Sequence, residues 1–277
     1  MPDFPAQILQ FCQTLTQRLG QQLLKDYGHI TATQKIDGSL VTAADKWADQ
    51  EIREAIAATF PSHGVLSEEG EHIFPEQAWC WIIDPIDGTT NFTRGLPIWG
   101  ISLGLLYEGI PVFGYVHFPP LSQSFHGFSP DFPKDNLGDA VFAGAYLNNQ
   151  PIHTSPDDPS PSHFLNICAR SLPILQQPLK VPCKVRMLGV TTYDFLAVAS
   201  GAALAGVEAT PKVWDIAAVW VILKAAGGTW VSLQFDPVFP LQVGKNYGSL
   251  SLPTLVASNQ SVANKFLPLV GFLTLNQ

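Results

Sequence analysis

Positive charge is scarce in this chain: 15 Lys and Arg stand against 23 Asp and Glu over 277 residues, a formal net charge of −8. That balance excludes a nucleic-acid groove or a docking face for an anionic membrane, which need clustered Lys and Arg. An anionic ligand would need a cation to mediate. Cysteine is sparse as well. Cys12, Cys80, Cys168 and Cys183 form no C-x-x-C pair, and a chain of this size needs no disulfide staples, so they are expected as buried thiols in a reducing cytoplasm. No run reaches ~18 apolar residues, and "MPDFPAQILQF" puts an acid and two prolines where a leader would carry basic and apolar residues. The protein is therefore expected to stay in the cytoplasm, with no membrane partner. H-E-x-x-H, a Walker loop and G-x-G-x-x-G are all missing, which removes support for zinc-protease, P-loop and dinucleotide chemistry. Repeats and low-complexity tracts are missing too.

What is present is apolar periodicity: 46% of residues are hydrophobic and 14% charged, enough for one large core or two smaller ones. Ile8, Leu9, Cys12, Leu15, Leu19 and Leu23 recur at three- and four-residue intervals, predicting a helix over 6–27 that Gly28 ends. A second helix is expected over 43–59 behind Thr42, with Trp47, Ile52, Ala55 and Ile56 inward. Strand-like runs follow, "HGVLSEE", "AWCWIID", "IWGISLGLLY" and "PVFGYVHF", the last two as a hairpin in an antiparallel-leaning sheet. Pro, Asp and Ser cluster at 131–136 and again at 154–162. The second cluster is the expected boundary between an N-terminal α+β part (1–153) and a C-terminal α/β part (154–277). Beyond it, helices "TTYDFLAVASGA", "WDIAAVWVILKAAGG" and "SVANKFLPLVGFL" alternate with short strands, a layered α/β pattern.

The stretch "WIIDPIDGTTNF" (81–92) carries the first chemistry. Ile82 and Ile83 favour a strand, Pro85 removes a donor, and the chain is expected to leave the sheet at Asp84. Two carboxylates then emerge together at a point where a helix begins, whose free N–H groups bind anions. Asp84 and Asp87 would repel beside an anion unless Mg²⁺-type cations neutralise them. The alternative is an Asp-rich turn that caps its own backbone. A covalent aspartyl-phosphatase would want its second Asp one position earlier. "GISLG" matches a nucleophile elbow in letters only, because Ser102 stands in extended apolar alternation.

With "KIDGSLVTAAD" (35–45), "GVLSEEG" (64–70) and "VWDIAAVWVILKAAGG" (213–228), that stretch resembles the inositol monophosphatase family of Mg²⁺-dependent phosphatases, four blocks in the same order. The resemblance implies a layered α-β-α-β-α sandwich, also found in fructose-1,6-bisphosphatases, and a homodimer. It implies two or three Mg²⁺: Glu68, Asp84 and the Ile86 carbonyl on one, Asp84, Asp87 and Asp215 on a second. Thr89, supported by Glu68 and Asp45, would activate the attacking water, and the N–H groups of Gly88 and Thr89 would cradle phosphate. Asp87, Glu208, Lys35 and Arg94 are the implied substrate contacts, and Li⁺ is expected to compete at the second metal. Simpler roles exist beside these. Asp45 can complete a capping box with Thr42, Asp215 can serve the helix dipole, and Glu208 and Lys35 can be surface residues. Of the adjacent Glu68 and Glu69, strand alternation lets one face the metals and leaves the other solvated.

Some letters depart from the family. "RMLGVTTYDF" (186–195) replaces the usual G-S-A-A, so Val190 and Thr191 leave the alcohol open, while Arg94 in "NFTRGLPIW" is closer to histidinol-phosphate phosphatases. Val219 and "KAAGG" alter packing rather than ligation. The expected activity is hydrolysis of inositol monophosphate or a related small polyol phosphate by metal-activated water. Histidinol phosphate, a sugar bisphosphate or a 3′-phosphonucleotide are alternatives, as is a regulatory protein that keeps the pocket without turnover.

Overall fold

The computed structural model describes residues 4–35, 40–133, 143–176, 181–234 and 236–274. The "IDGS" turn (36–39) and residues 134–136 of the first loop cluster lie outside that range. Helix α1 (Phe4–Asp26) buries the stripe Ile8, Cys12, Leu15, Leu19 and Leu23, and Gly28 follows it at a φ of +75°, a conformation open to glycine without a Cβ clash. A short hairpin, β1 (Thr33–Gln34) and β2 (Leu40–Val41), leads to α2 (Ala43–Thr59). Ile52 and Ile56 of α2 are buried, while Trp47 and Ala55 are half-buried.

Seven strands then form one sheet in chain order: β3 (Gly64–Ser67), β4 (Trp79–Asp87), β5 (Gly100–Tyr107), β6 (Ile110–Phe118), β7 (Gln123–Phe128), β8 (Gly144–Leu147) and β9 (Gln150–Pro151). Only β3–β4 is parallel; the other pairs are antiparallel. The β5–β6 hairpin turns on Glu108 and Gly109, both at positive φ (50° and 79°), which matches the twist of the strands they join. Between β4 and β5 lies the short helix α3 (Thr89–Arg94). A second sheet comprises β10 (Phe164–Ile167), β11 (Lys184–Arg186), β12 (Ala205–Glu208), β13 (Thr229–Ser232) and β14 (Thr254–Ala257), in the order β11-β10-β12-β14-β13.

Three apolar clusters hold these sheets in layers. One packs α1 and α2 on the outer face of the first sheet through Ile8, Leu19, Ile52, Trp81 and Ile83. The largest buries α4 (Thr191–Ala199) and α5 (Val213–Ala225) between the two sheets. The third sets α6 (Gln260–Val270) on the far face of the second sheet through Val262 and Phe266. The result is the α-β-α-β-α sandwich that the resemblance implied. The stretch 154–162 carries neither helix nor strand. Among the described residues no helix is long and apolar enough to cross a membrane.

Helix α5 approaches the first sheet over a row of glycines. Gly104 faces Gly114 and Gly114 faces Gly127 across β5, β6 and β7. A Cβ at Gly114 would stand 2.1 Å from the Ala218 oxygen, and one at Gly104 3.0 Å from the Ala217 Cβ. Glycine inside a strand marks such a close approach, and here it fixes how α5 lies relative to the end of β4.

Candidate active site

The expected exit from the sheet at Asp84 is not what the structure shows, since β4 continues to Asp87. Asp84 pairs with Ser102 and Asp87 with Gly100, so three steps on β4 oppose two on β5: a β-bulge around Pro85. The bulge accommodates a residue without an N–H and also changes which face each side chain takes. Before it, Cys80 and Ile82 face the α4/α5 layer while Trp81 and Ile83 face α1/α2; after it, Ile86 has joined the α1/α2 face. Residues three apart in a flat strand point oppositely. The bulge instead lets Asp84 and Asp87 converge, and α5 adds Asp215, so that one oxygen from each of the three lies within 4.8 Å of the others.

Two of these carboxylates, and Asp45 nearby, are each engaged at a helix N-terminus. The Thr42 N–H and hydroxyl donate to Asp45 Oδ2 at 2.7 and 2.6 Å, completing the capping box of α2. Asp45 Oδ1 also accepts from Thr89 Oγ1 at 3.2 Å, so its capping role and its proximity to Thr89 coexist. Thr192 donates to Asp87 Oδ2 through N–H (2.7 Å) and hydroxyl (2.5 Å), which supplies α4 with the cap its own Val190 lacks. Lys212 N–H donates to Asp215 Oδ2 at 2.6 Å at the start of α5. Orphan N–H groups and the positive end of a helix favour a carboxylate.

Those partners offset only part of the cost of confinement. Burial, then the charges of Glu68, Asp87 and Asp215, push the Asp84 carboxyl well above the usual range. Burial, then Asp87, does the same to Asp215, and burial raises Asp87 against the Thr192 hydrogen bonds. Glu68 rises to about 7, chiefly through burial. Converging acids at elevated pKa, with oxygen donors only, fit a hard divalent cation: it would supply the charge they lack.

A cavity of about 440 Å³ opens on this cluster, lined by Glu68, Asp87, Gly88, Thr89, Glu208 and Asp215 among others. Gly88 starts α3 at a φ of +93°, where a Cβ would come within 2.6 Å of Val190 Cγ2; Val190 and Thr191, the departing letters, line the wall. Thr89 Oγ1 also lies 3.2 Å from the Ile86 carbonyl. Glu208 is buried at the end of β12, so it is no surface residue, and burial followed by the neighbouring Cys168 raises its carboxyl well above normal.

Glu69 corrects the expectation of a solvated neighbour. Its side chain is 7% exposed, and Lys35 Nζ bridges Glu68 (3.0 Å) and Glu69 (2.5 Å). β3 ends at Ser67, so strand alternation does not govern the pair. Lys35 is thus engaged by acids, which hold its ammonium above its ordinary value even though burial alone would lower it. Arg94 is exposed in the last turn of α3 and does not line the cavity. The four cysteines are free, as expected, yet Cys168 and Cys183 are only half-buried, and Cys168 lines the wall. Sequence reasoning missed Cys168, Arg170, Thr192 and Asp194. Thr192 had a signal, the Thr-Thr pair opening a helix; the others had none.

A match to the inositol monophosphatase family spans residues 5–264. A histidinol-phosphatase of Chlorobaculum parvum is 30% identical over 230 residues, covering 79% of this chain and 83% of that protein. An inositol-1-monophosphatase of Synechocystis sp. is 30% identical over 231 residues, 79% of this chain and 76% of the relative. In three dimensions an IMPase of Thermotoga maritima superposes with a TM-score of 0.78 at 25% identity, covering 96% of this chain and 98% of the other.

Proposed function

Because the chain belongs to the inositol monophosphatase family, and is thereby a phosphoric monoester hydrolase, we propose that it hydrolyses inositol monophosphate or a related small polyol phosphate with Mg²⁺. The observation that carries this reading is the meeting of Asp84, Asp87 and Asp215 within 4.8 Å, from a bulged strand and a helix start, beside a cavity that Asp87 and Asp215 line. Glu68, Asp84 and the Ile86 carbonyl would hold one ion, and Asp84, Asp87 and Asp215 a second; a third, if bound, would belong near Glu68. Bound there, such ions supply Lewis acidity, a lowered pKa for water and neutralisation of the leaving oxygen.

The chain's own residues do the remaining work in this reading. The Thr89 hydroxyl, 3.2 Å from Asp45 Oδ1, orients the attacking water, and Asp45 is the carboxylate placed to take the proton through it, with Glu68 alongside. The N–H groups of Gly88 and Thr89 face the phosphate, and Glu208 accepts a hydroxyl of the alcohol. Lys35 balances the charge of Glu68 and Glu69. Histidinol phosphate is the second candidate: its ammonium suits Glu208, and a relative bears that activity in its name. Lithium inhibition and a homodimer belong to the same reading.

Phosphate release should be followed with Mg²⁺ across inositol 1-phosphate, histidinol phosphate and fructose 1,6-bisphosphate. Asp87→Asn should cost more than the ~10–100-fold typical of residues behind a metal's direct ligands. Undiminished turnover in that variant would refute the assignment.

A further inference from the structure

The far wall of the cavity is built where two parallel strands end. Ile167 of β10 pairs with Val207 of β12, and the chains run on side by side: Cys168 N–H donates to the Val207 carbonyl at 3.2 Å, and Ala209 N–H lies 3.3 Å from Cys168 Sγ. One step further the Arg170 guanidinium reaches Thr210 Oγ1 at 2.5 Å. Glu208 and Arg170 therefore face the same cavity from neighbouring strand ends, the end at which ligands of open α/β sheets are bound. Glu68, Asp87, Glu208 and Asp215 line it with carboxylates, and among the described lining residues Arg170 alone carries a positive charge.

We propose that Arg170 is a specificity-determining residue, which favours phosphomonoesters whose alcohol carries a second anionic group. The proposal rests on the phosphatase reading above and refines its substrate class. The scissile phosphate belongs with the Asp84, Asp87 and Asp215 cluster, so the alcohol extends toward the β10/β12 wall. There Glu208 can accept from a hydroxyl and Arg170 can donate to an anion. A guanidinium offers several donors in a planar fork that suits phosphate or carboxylate oxygens. Thr210 already holds one nitrogen, which reduces the freedom lost on binding. An ester with a cationic alcohol is drawn by Glu208 but repelled by Arg170.

The test compares wild type, Arg170→Ala and Arg170→Lys by kcat/KM on fructose 1,6-bisphosphate and inositol 1-phosphate, with Mg²⁺. The expected result is a loss on the bisphosphate that exceeds the loss on inositol 1-phosphate by about 10–100-fold in Arg170→Ala, the range of a charge-assisted hydrogen bond. The difference should appear mainly in KM, and Arg170→Lys should recover part of it. Equal losses on both substrates, with the wild type active, would overturn the role of Arg170 and leave the phosphatase reading intact. No release of phosphate from either by the wild type would overturn both.

Discussion

Asp194 is fully buried on α4, and neither of its carboxylate oxygens has a hydrogen-bond partner among the described residues. Burial, then the charge of Asp87, lifts its pKa to about 8 from an ordinary 3.8. The folded state thus keeps this proton where the unfolded chain has released it. Stability drawn from it is present below pH 4 and is lost as pH rises toward 8. Asp194→Asn removes the titration at nearly constant shape. In metal-free protein the variant should gain stability over wild type as pH goes from 5 to 8, by about 1–3 kcal/mol at the upper end. Denaturation at both pH values checks this, and a gain of equal size at each would contradict it.

At the scale of elements, α5 ties the sheet to the acidic cluster. Its N-terminal Asp215 reaches Asp84 and Asp87 because Ala217 lies directly on Gly104, Ala218 on Gly114 and Ile222 on Gly127 of the glycine row. Gly114→Ala places a Cβ against backbone, the Ala218 oxygen at 2.1 Å, where no side-chain rotation gives relief. Overpacking of this kind costs ~1–3 kcal/mol. The expected outcome is a lower Tm together with weaker Mg²⁺ binding by calorimetry, since α5 must move and carry Asp215 with it. A lower Tm with unchanged affinity would show that the row supports the fold alone.

Over the whole molecule, two sets of buried groups oppose one another. Burial holds His63 and His126 at about 4, so the fold resists their protonation and loses stability as pH falls from 6.5 toward 4. Glu68, Asp84, Asp87, Asp194, Glu208 and Asp215 are all raised, with burial the first cause of each. Without a cation the fold therefore loses stability as pH rises from the ordinary carboxylate range toward 8. Divalent ions bind the deprotonated form and the folded state, which at a hundredfold excess over Kd is worth ~2.7 kcal/mol. Thermal unfolding should show Mg²⁺ raising Tm more at pH 8 than at pH 5.5. An equal rise at both would mean that the ion binds away from these carboxylates.

Much of the fold and of the site was legible along the chain. Apolar periodicity outlined α1, Thr42 marked the start of α2, and Glu108–Gly109 marked the hairpin, because each signal is carried by neighbours in sequence. The acids at 68, 84, 87 and 215 were legible through the motifs that frame them. What the sequence by itself determined is thus the set of elements and the acidic chemistry they bring. Only the tertiary structure decided that Pro85 bulges a continuing strand, so that Asp84 and Asp87 converge. It likewise paired Glu69 with Lys35, capped α4 with an aspartate from β4, buried Asp194 and brought Arg170 and Glu208 to one cavity. Each of these depends on register or packing between segments far apart in the chain, and no local pattern of residues encodes that distance.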